Sequence, residues 1–169
     1  MLITPEYQEL SRTFHVERAD YVAYSARWAQ PVMQLCAELE TMNVLDYGCG
    51  KANLNLHLPF EVQCYDPAIP KHDEAPSPAD IVVCTDVLEH IEPECLDDVI
   101  EHLHGLTKMA LFLNVATRPA KKELPDGRNA HLIIETFDWW YERLSPLWVP
   151  RLLTVNLDEF TGTWGRRRN

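Results

Sequence analysis

The chain has 169 residues, a formal net charge of −11 and 46% apolar residues. That is one domain with enough apolar side chains for a core, and it excludes a disordered or low-complexity protein. The acidic balance disfavours nucleic acid as a partner, because affinity for phosphate backbones rests on Lys and Arg.

In chain order, Pro5 to Phe14 reads as a leader carrying Tyr7 and Phe14. A helical pattern begins at Val16 with Tyr21, Tyr24, Ala26 and Trp28; Pro31 interrupts it, and a second helix runs from Val32 to Leu39. Val44-Leu45 then leads through Asp46 and Tyr47 into the turn Gly48-Cys49-Gly50, followed by a short helix that Pro59 stops. Glycines in such a turn let a ligand lie against bare backbone, and the N–H groups of the next helix's first turn favour negative charge. Val62 to Tyr65 is another short strand, and it ends in Asp66. An acidic residue at a strand tip about 20 residues past a glycine loop has the offset that accepts ribose hydroxyls. The alternative for Asp66 is a turn residue before Pro67.

Ile81 to Cys84 is a continuous apolar run, as in a strand buried on both faces of a parallel sheet, and it opens into Thr85-Asp86-Val87-Leu88-Glu89-His90. Pro93 starts a helix whose Leu96, Val99, Ile100 and Leu103 share one face, with Gly105 just past its end. Leu111 to Val115 is the next buried strand. The stretch from Ala116 to Asn129 is polar and carries Arg118, Lys121, Lys122 and Arg128, either as a solvated loop or as a basic lid for an acidic acceptor. His131 to Leu144 follows, with Asp138 as helix cap. Trp139 and Trp140 cannot both face the core, so one lines the site or packs under the basic loop. Arg151 to Val155 and Phe160 to Trp164 form an antiparallel pair, and Arg166-Arg167-Arg168 is a solvated tail.

There is no apolar run of membrane-spanning length, and MLITPEYQELSR lacks a secretory pattern, so the expected location is cytoplasmic. Five cysteines (Cys36, Cys49, Cys64, Cys84 and Cys95) without a C-x-x-C pair read as reduced structural thiols.

Asp46 to Ala52, D-x-G-x-G-x-A, resembles motif I of class I S-adenosylmethionine-dependent methyltransferases, with Ala52 in place of the third glycine. Asp86-Val87-Leu88-Glu89-His90 resembles the segment after the fourth strand of the same family. The resemblance implies an α/β, Rossmann-like fold: a mostly parallel sheet with helices on both faces, in a single domain whose residues 1–42 form a helical lid over a core of 43–169. It implies that Asp46, Tyr47, Gly48, Cys49 and Gly50 hold the methionine end of S-adenosylmethionine. Asp66 and Pro67 would hold the ribose, Asp73 the adenine, and Thr85, Asp86 and Val87 would line the pocket. Tyr7, Phe14, Tyr21 and Tyr24 are candidates to cover the cofactor. The family normally has a helix and a third strand where this chain has twelve residues and four prolines between Asp66 and Ala79, so that region of the sheet is shortened.

The expected reaction is O- or N-methylation of a small-molecule acceptor, with Glu89, His90 and His131 as the catalytic set. An imidazole titrates near the working pH and suits a general base. Asp86, Glu89, His90 and His131 also suit a divalent metal. A similar acidic-x-x-Glu-His string occurs in small-RNA 3′-end 2′-O-methyltransferases, which leaves metal-dependent RNA methylation as one alternative. A non-catalytic cofactor-binding partner subunit is another. Enzymes that methylate amino groups of DNA bases carry a different string at this strand end and are set aside.

Overall fold

In the computed structural model the described residues are 1–17 and 25–167. Six strands form one sheet in the order β2-β1-β3-β4-β6-β5. They are β1 (Val44–Tyr47), β2 (Gln63–Tyr65), β3 (Ala79–Thr85), β4 (Thr107–Ala116), β5 (Trp148–Val155) and β6 (Glu159–Arg166). The pairs β1–β2, β1–β3 and β3–β4 are parallel, whereas β4–β6 and β5–β6 are antiparallel. The helices are α1 (Pro5–Glu17), α2 (Ala29–Glu38), α3 (Leu96–Leu106) and α4 (Phe137–Leu144).

The strand alternation sorts the core into two layers. Val44 pairs with Ile81 and Ile81 with Ala110; these pack with Val32, Leu35 and Cys36 of α2. The next residue on each strand, Leu45, Val82 or Leu111, turns to the opposite face and packs with α3 and α4. Successive strand side chains point to opposite faces, so continuous apolar runs require helices on both sides. The region after Asp66 is trimmed as expected: the chain passes from β2 to β3 without another strand or helix.

Several local expectations are corrected. Residues 5–14 are helical rather than a leader. Pro31 lies within the first turn of α2, where its missing N–H has no helical partner to lose, so it does not interrupt the helix. Gly105 lies inside α3, because Thr107 ends the helix by entering β4 directly. Pro93 opens a 3-10 turn, Pro93–Cys95, before α3 begins. Thr136 rather than Asp138 caps α4, its side chain accepting from the Trp139 N–H; Asp138 stands in the first turn. Trp140 is fully buried, and Trp139 lies under Arg143, whose guanidinium sits 3.6 Å from its ring centroid, so neither packs under the basic loop. Arg166 belongs to β6 and donates to the Thr107 carbonyl at 3.0 Å, rather than starting a tail. Tyr21, Tyr24 and Arg168 lie outside the described residues, and the Phe14 side chain does too.

Candidate active site

The order β2-β1-β3 reverses direction at β1, and the loops after β1 and β3 flank the crevice that opens there. Open α/β sheets bind ligands at such a switch point. On one side stands the glycine turn. Gly48 has φ +74°, and a Cβ there would meet Cγ2 of Val87 at 2.4 Å. The turn therefore lies directly against the loop after β3, and only a bare Cα fits. Ala52 also has a positive φ, +57°, so the substitution that distinguishes this loop from the usual motif carries backbone strain. The expected helix after the turn is one 3-10 turn, Leu54–His57. A turn that short supplies little helix dipole, so the loop amides themselves must do the binding.

Asp66 is buried at the tip of β2. Its Oδ2 accepts from the Gly50 N–H at 3.0 Å and its Oδ1 from the Ala68 N–H at 2.9 Å. The carboxylate thus splints the glycine turn to the next loop, and each oxygen keeps a further lone pair for a ligand hydroxyl. The Asp66 N–H donates to the His72 carbonyl at 2.8 Å, which closes that loop on itself. Asp46 is also buried; desolvation, with Cys64 and Asp66 nearby, pushes its carboxyl up to about 8. The Tyr47 side chain is buried and bonds to His102 Nδ1 at 3.0 Å, so only its backbone borders the turn. Asp73 is drawn toward α1, with Arg12 3.9 Å away, and the Pro67 carbonyl accepts from Gln8 Nε2 at 2.6 Å.

The opposite end of α1 holds a different loop. Thr4 donates from both its N–H and its hydroxyl to Glu92, and Tyr7 is buried with Leu124 and Ala130. Helix α1 therefore spans from the ribose-side loop to the basic loop. Tyr7 is a core residue of that contact.

The acceptor side is assembled from three chain segments. Glu89 is fully buried; its Oε1 accepts from the Ala116 N–H at 2.8 Å, and Oε2 has no hydrogen-bond partner among the described residues. Desolvation, reinforced by Asp86, pushes its carboxyl up to about 8. The His90 and His131 rings stack edge-to-face with centroids 4.8 Å apart. His90 Nδ1 lies 2.7 Å from the Ala130 carbonyl, and His131 Nδ1 lies 2.6 Å from the Arg118 carbonyl. A carbonyl only accepts, so both Nδ1 atoms carry the proton and Nε2 is the basic nitrogen of each ring. Burial holds His131 below the ordinary imidazole range. One ligand-capable atom from each of Glu89, His90 and His131 lies within 4.8 Å of the others. Asp86, expected to join them, is not in this group. It takes a positive φ of +55° and faces Arg27 at 3.7 Å.

The arrangement also shows residues that the pattern reading passed over. Asn129 clamps the basic loop: Oδ1 accepts from the Ala120 and His131 N–H groups, each at 2.9 Å, and Nδ2 donates to the Ala120 carbonyl at 3.0 Å. The turn-forming string Asp126-Gly127-Arg128-Asn129 was its available signal. Arg27 reaches Asp86 and, at 3.2 Å, Glu159. Cys49, Cys64 and His72 converge, with candidate ligand atoms within 4.8 Å of one another, although no sequence spacing announces them. The Cys49 thiol donates to the Gly50 carbonyl at 3.8 Å and the Cys64 thiol to the Val62 carbonyl at 3.6 Å, and the interaction with Cys49 holds the Cys64 thiol below its ordinary range.

Among the described residues no helix is long and apolar enough to cross a membrane. No curated protein matches the sequence. Among solved structures, the chain resembles Burkholderia thailandensis 1,6-didemethyltoxoflavin-N1-methyltransferase, which was solved with that compound and S-adenosylhomocysteine bound. The TM-score is 0.67 and the identity 17%, over 99% of this chain and 92% of that one. The N-methyltransferase NodS of Bradyrhizobium japonicum, in complex with S-adenosylhomocysteine, gives 0.62 at 11% identity, over 95% and 99% of the two chains. Magnesium protoporphyrin IX methyltransferase of Synechocystis, also with S-adenosylhomocysteine, gives 0.60 at 14%, over 96% and 97%. A family model described as a methyltransferase domain matches residues 20–150. The chain therefore belongs to the methyltransferase domain family, with the fold of the class I S-adenosylmethionine-dependent methyltransferases.

Proposed function

We propose that this methyltransferase methylates an oxygen or nitrogen of a small-molecule acceptor, with His131 as the general base. The observation that carries the reading is His131 itself: buried, held neutral by burial, and fixed by the Arg118 carbonyl with Nε2 as its basic atom. Two of the structural neighbours are named for small acceptors, 1,6-didemethyltoxoflavin and magnesium protoporphyrin IX, which agrees.

The cofactor cradle fits S-adenosylmethionine in its geometry. A Cβ would fill the space at Gly48, and Asp66 presents a splinted carboxylate one turn away. When bound there, the cofactor supplies a methyl group on a positively charged sulfur. Gly48, Cys49 and Gly50 present backbone to its methionine end, Asp66 and the Pro67 loop meet the ribose, and Thr85 to Val87 form the opposite wall. Helix α1, tied to both loops, is the fixed part of the 1–42 lid. At the acceptor, the lone pair of the attacking atom would form the new bond to the methyl carbon as the carbon–sulfur bond breaks with its electron pair left on the sulfur, and the acceptor's proton would pass to His131 Nε2. Glu89, carrying its own proton near neutral pH, orients the Ala116 amide and keeps a second negative charge out of the site. His90 packs against the base and holds its approach.

A second reading has one specific observation in its favour. Glu89 Oε2 is buried without a hydrogen-bond partner among the described residues, and one ligand-capable atom from each of Glu89, His90 and His131 lies within 4.8 Å of the others. A divalent metal such as Mn²⁺ or Zn²⁺ would satisfy that oxygen, with the two imidazoles as further ligands. Metal-dependent RNA methylation is the least supported version, because it needs a phosphate-binding surface on a chain of charge −11. Five free thiols fit a reducing compartment, the cytoplasm.

The test has two stages. Calorimetric titration of S-adenosylhomocysteine into wild type and Asp66→Ala measures the cofactor site. Labelled methyl transfer to a panel of small hydroxyl and amine acceptors, with and without chelator, then compares wild type with His131→Asn. Cofactor affinity kept but transfer lost in His131→Asn, insensitive to chelator, supports the base. Loss on chelation and recovery with Mn²⁺ supports the metal. Cofactor binding with no transfer to any acceptor would point to a non-catalytic subunit.

A further inference from the structure

We propose that the acceptor carries an anionic group, a carboxylate or a phosphate, which seats on Arg118. This rests on the reading of the acceptor site above and names the class of molecule that site takes.

The argument begins with which cations are already engaged. In this acidic chain Arg12 faces Asp73, Arg27 faces Glu159 and Asp86, Lys108 faces Asp80, and Arg128 faces Asp126. Arg118 has no carboxylate within ion-pair distance among the described residues; its guanidinium donates only to the carbonyl of its neighbour Pro119, at 3.3 Å. Lys121, three residues on, is exposed and likewise makes no ion pair among them. A guanidinium presents a rigid fork that matches carboxylate and phosphate oxygens.

Arg118 is also held in relation to the chemistry. Its carbonyl fixes His131, so the cation and the base share one clamp. The span from Ala120 to His131 is built rather than loose: Asn129 bonds Ala120 and His131, the Ala130 N–H donates to the Lys122 carbonyl at 3.0 Å, and the Leu124 N–H donates to the Arg128 carbonyl at 2.7 Å. The Arg118 side chain lines a cavity of about 480 Å³ with Arg27 and the turn Asn156 to Glu159. Glu159 is engaged by Arg27, and Arg27 reaches Asp86 at the edge of the cofactor crevice. Asp158, in the same wall, repels an anion from that side, which leaves Arg118 as the seat. An acceptor anchored there by its anion would bring its nucleophilic atom toward His131 and the crevice together.

The test titrates inorganic phosphate and, separately, acetate into protein saturated with S-adenosylhomocysteine, read by calorimetry at low ionic strength. At least one anion is expected to bind saturably at one site, and the stronger of the two identifies the headgroup. Arg118→Ala should weaken it by about tenfold or more, Arg118→Lys by less, and Lys121→Ala least, as expected for a lost charge-assisted fork. S-adenosylhomocysteine affinity should be unchanged in all three variants, which also certifies their fold. Should Arg118→Ala fail that check, Arg118→Lys carries the comparison. Intact cofactor binding with no saturable anion, or with anion affinity the same in the Arg118 variants, overturns this inference and leaves the methyl-transfer reading standing. Failure of the cofactor to bind would overturn that reading instead.

Discussion

The two halves of the crevice are built differently. The cofactor half is a local structure: a strand, a strained turn and a carboxylate within about 20 residues, bonded mainly to one another. The acceptor half brings together Glu89 and His90, the Ala116 amide at the end of β4, and His131 at the end of a long loop. The first half loses function through backbone geometry. The second loses it through the hydrogen bonds that keep distant segments in register. A chain can therefore keep its cofactor site while its acceptor site changes, because the two share few bonds.

The largest expected effect tests the backbone side. Gly48→Ala places a Cβ 2.4 Å from Val87 Cγ2 at a φ of +74°. It should cost about 2–4 kcal/mol of stability and abolish measurable cofactor binding. Adding Val87→Ala should recover the contact part of that loss and leave the conformational part, as read from urea midpoints. Next, Asp66→Ala removes both the splint to Gly50 and the ribose acceptor, and should weaken S-adenosylhomocysteine about 100-fold by calorimetry.

Asn129→Ala tests the other side. It removes three side-chain bonds from the basic loop and should cost about 1–3 kcal/mol. Methyl transfer should fall sharply while cofactor affinity stays within about twofold, because the glycine turn and Asp66 make no hydrogen bond to Asn129. An equal loss of both would mean the halves are coupled after all.

The pH dependence sharpens the comparison within the folded state. Glu89 and Asp46 are each pushed up to about 8, above the ordinary carboxylate range. The folded chain then holds protons that the unfolded chain releases, so stability should fall as pH rises from about 5 to 8, by up to about 1.4 kcal/mol per pH unit for each group. Glu89→Gln should remove its share of the slope, measured by urea unfolding at several pH values. Added Mn²⁺ should offset the loss near pH 8 in wild type if Glu89 is a ligand, and should leave it unchanged if it is not. The smallest effect belongs to Arg27→Ala. Its pairs with Asp86 and Glu159 are partly solvated, and their loss should cost less than about 1 kcal/mol.

The cofactor half was legible because its chemistry lies in short strings. Glycines at a turn, an acid at a strand tip and apolar runs in sequence each have a local physical cause, and the prolines after Asp66 told that no helix of ordinary length plus a further strand could fit before Ala79. Within this half only tertiary packing decided that the Tyr47 side chain turns toward His102 and that the short helix after Gly50 is a single 3-10 turn. Helix boundaries were less legible wherever a neighbour decided them: Gly105 stays helical because the chain runs straight into β4, and Thr136 caps α4 because its hydroxyl meets the Trp139 amide.

What the amino-acid order determined by itself is the alternation of buried strands and helices, the bare turn at Gly48 and the acidic tip at Asp66, since each follows from interactions over a few residues. Only the tertiary structure decided that Asp86 leaves the His-Glu group for Arg27, that Cys49, Cys64 and His72 meet, that Asn129 clamps the basic loop, and that Arg118 makes no ion pair among the described residues while Arg27, which lines the same cavity, is paired. Those outcomes depend on contacts between segments tens of residues apart, where the sheet register sets which side chains face one another, and no local pattern encodes that register.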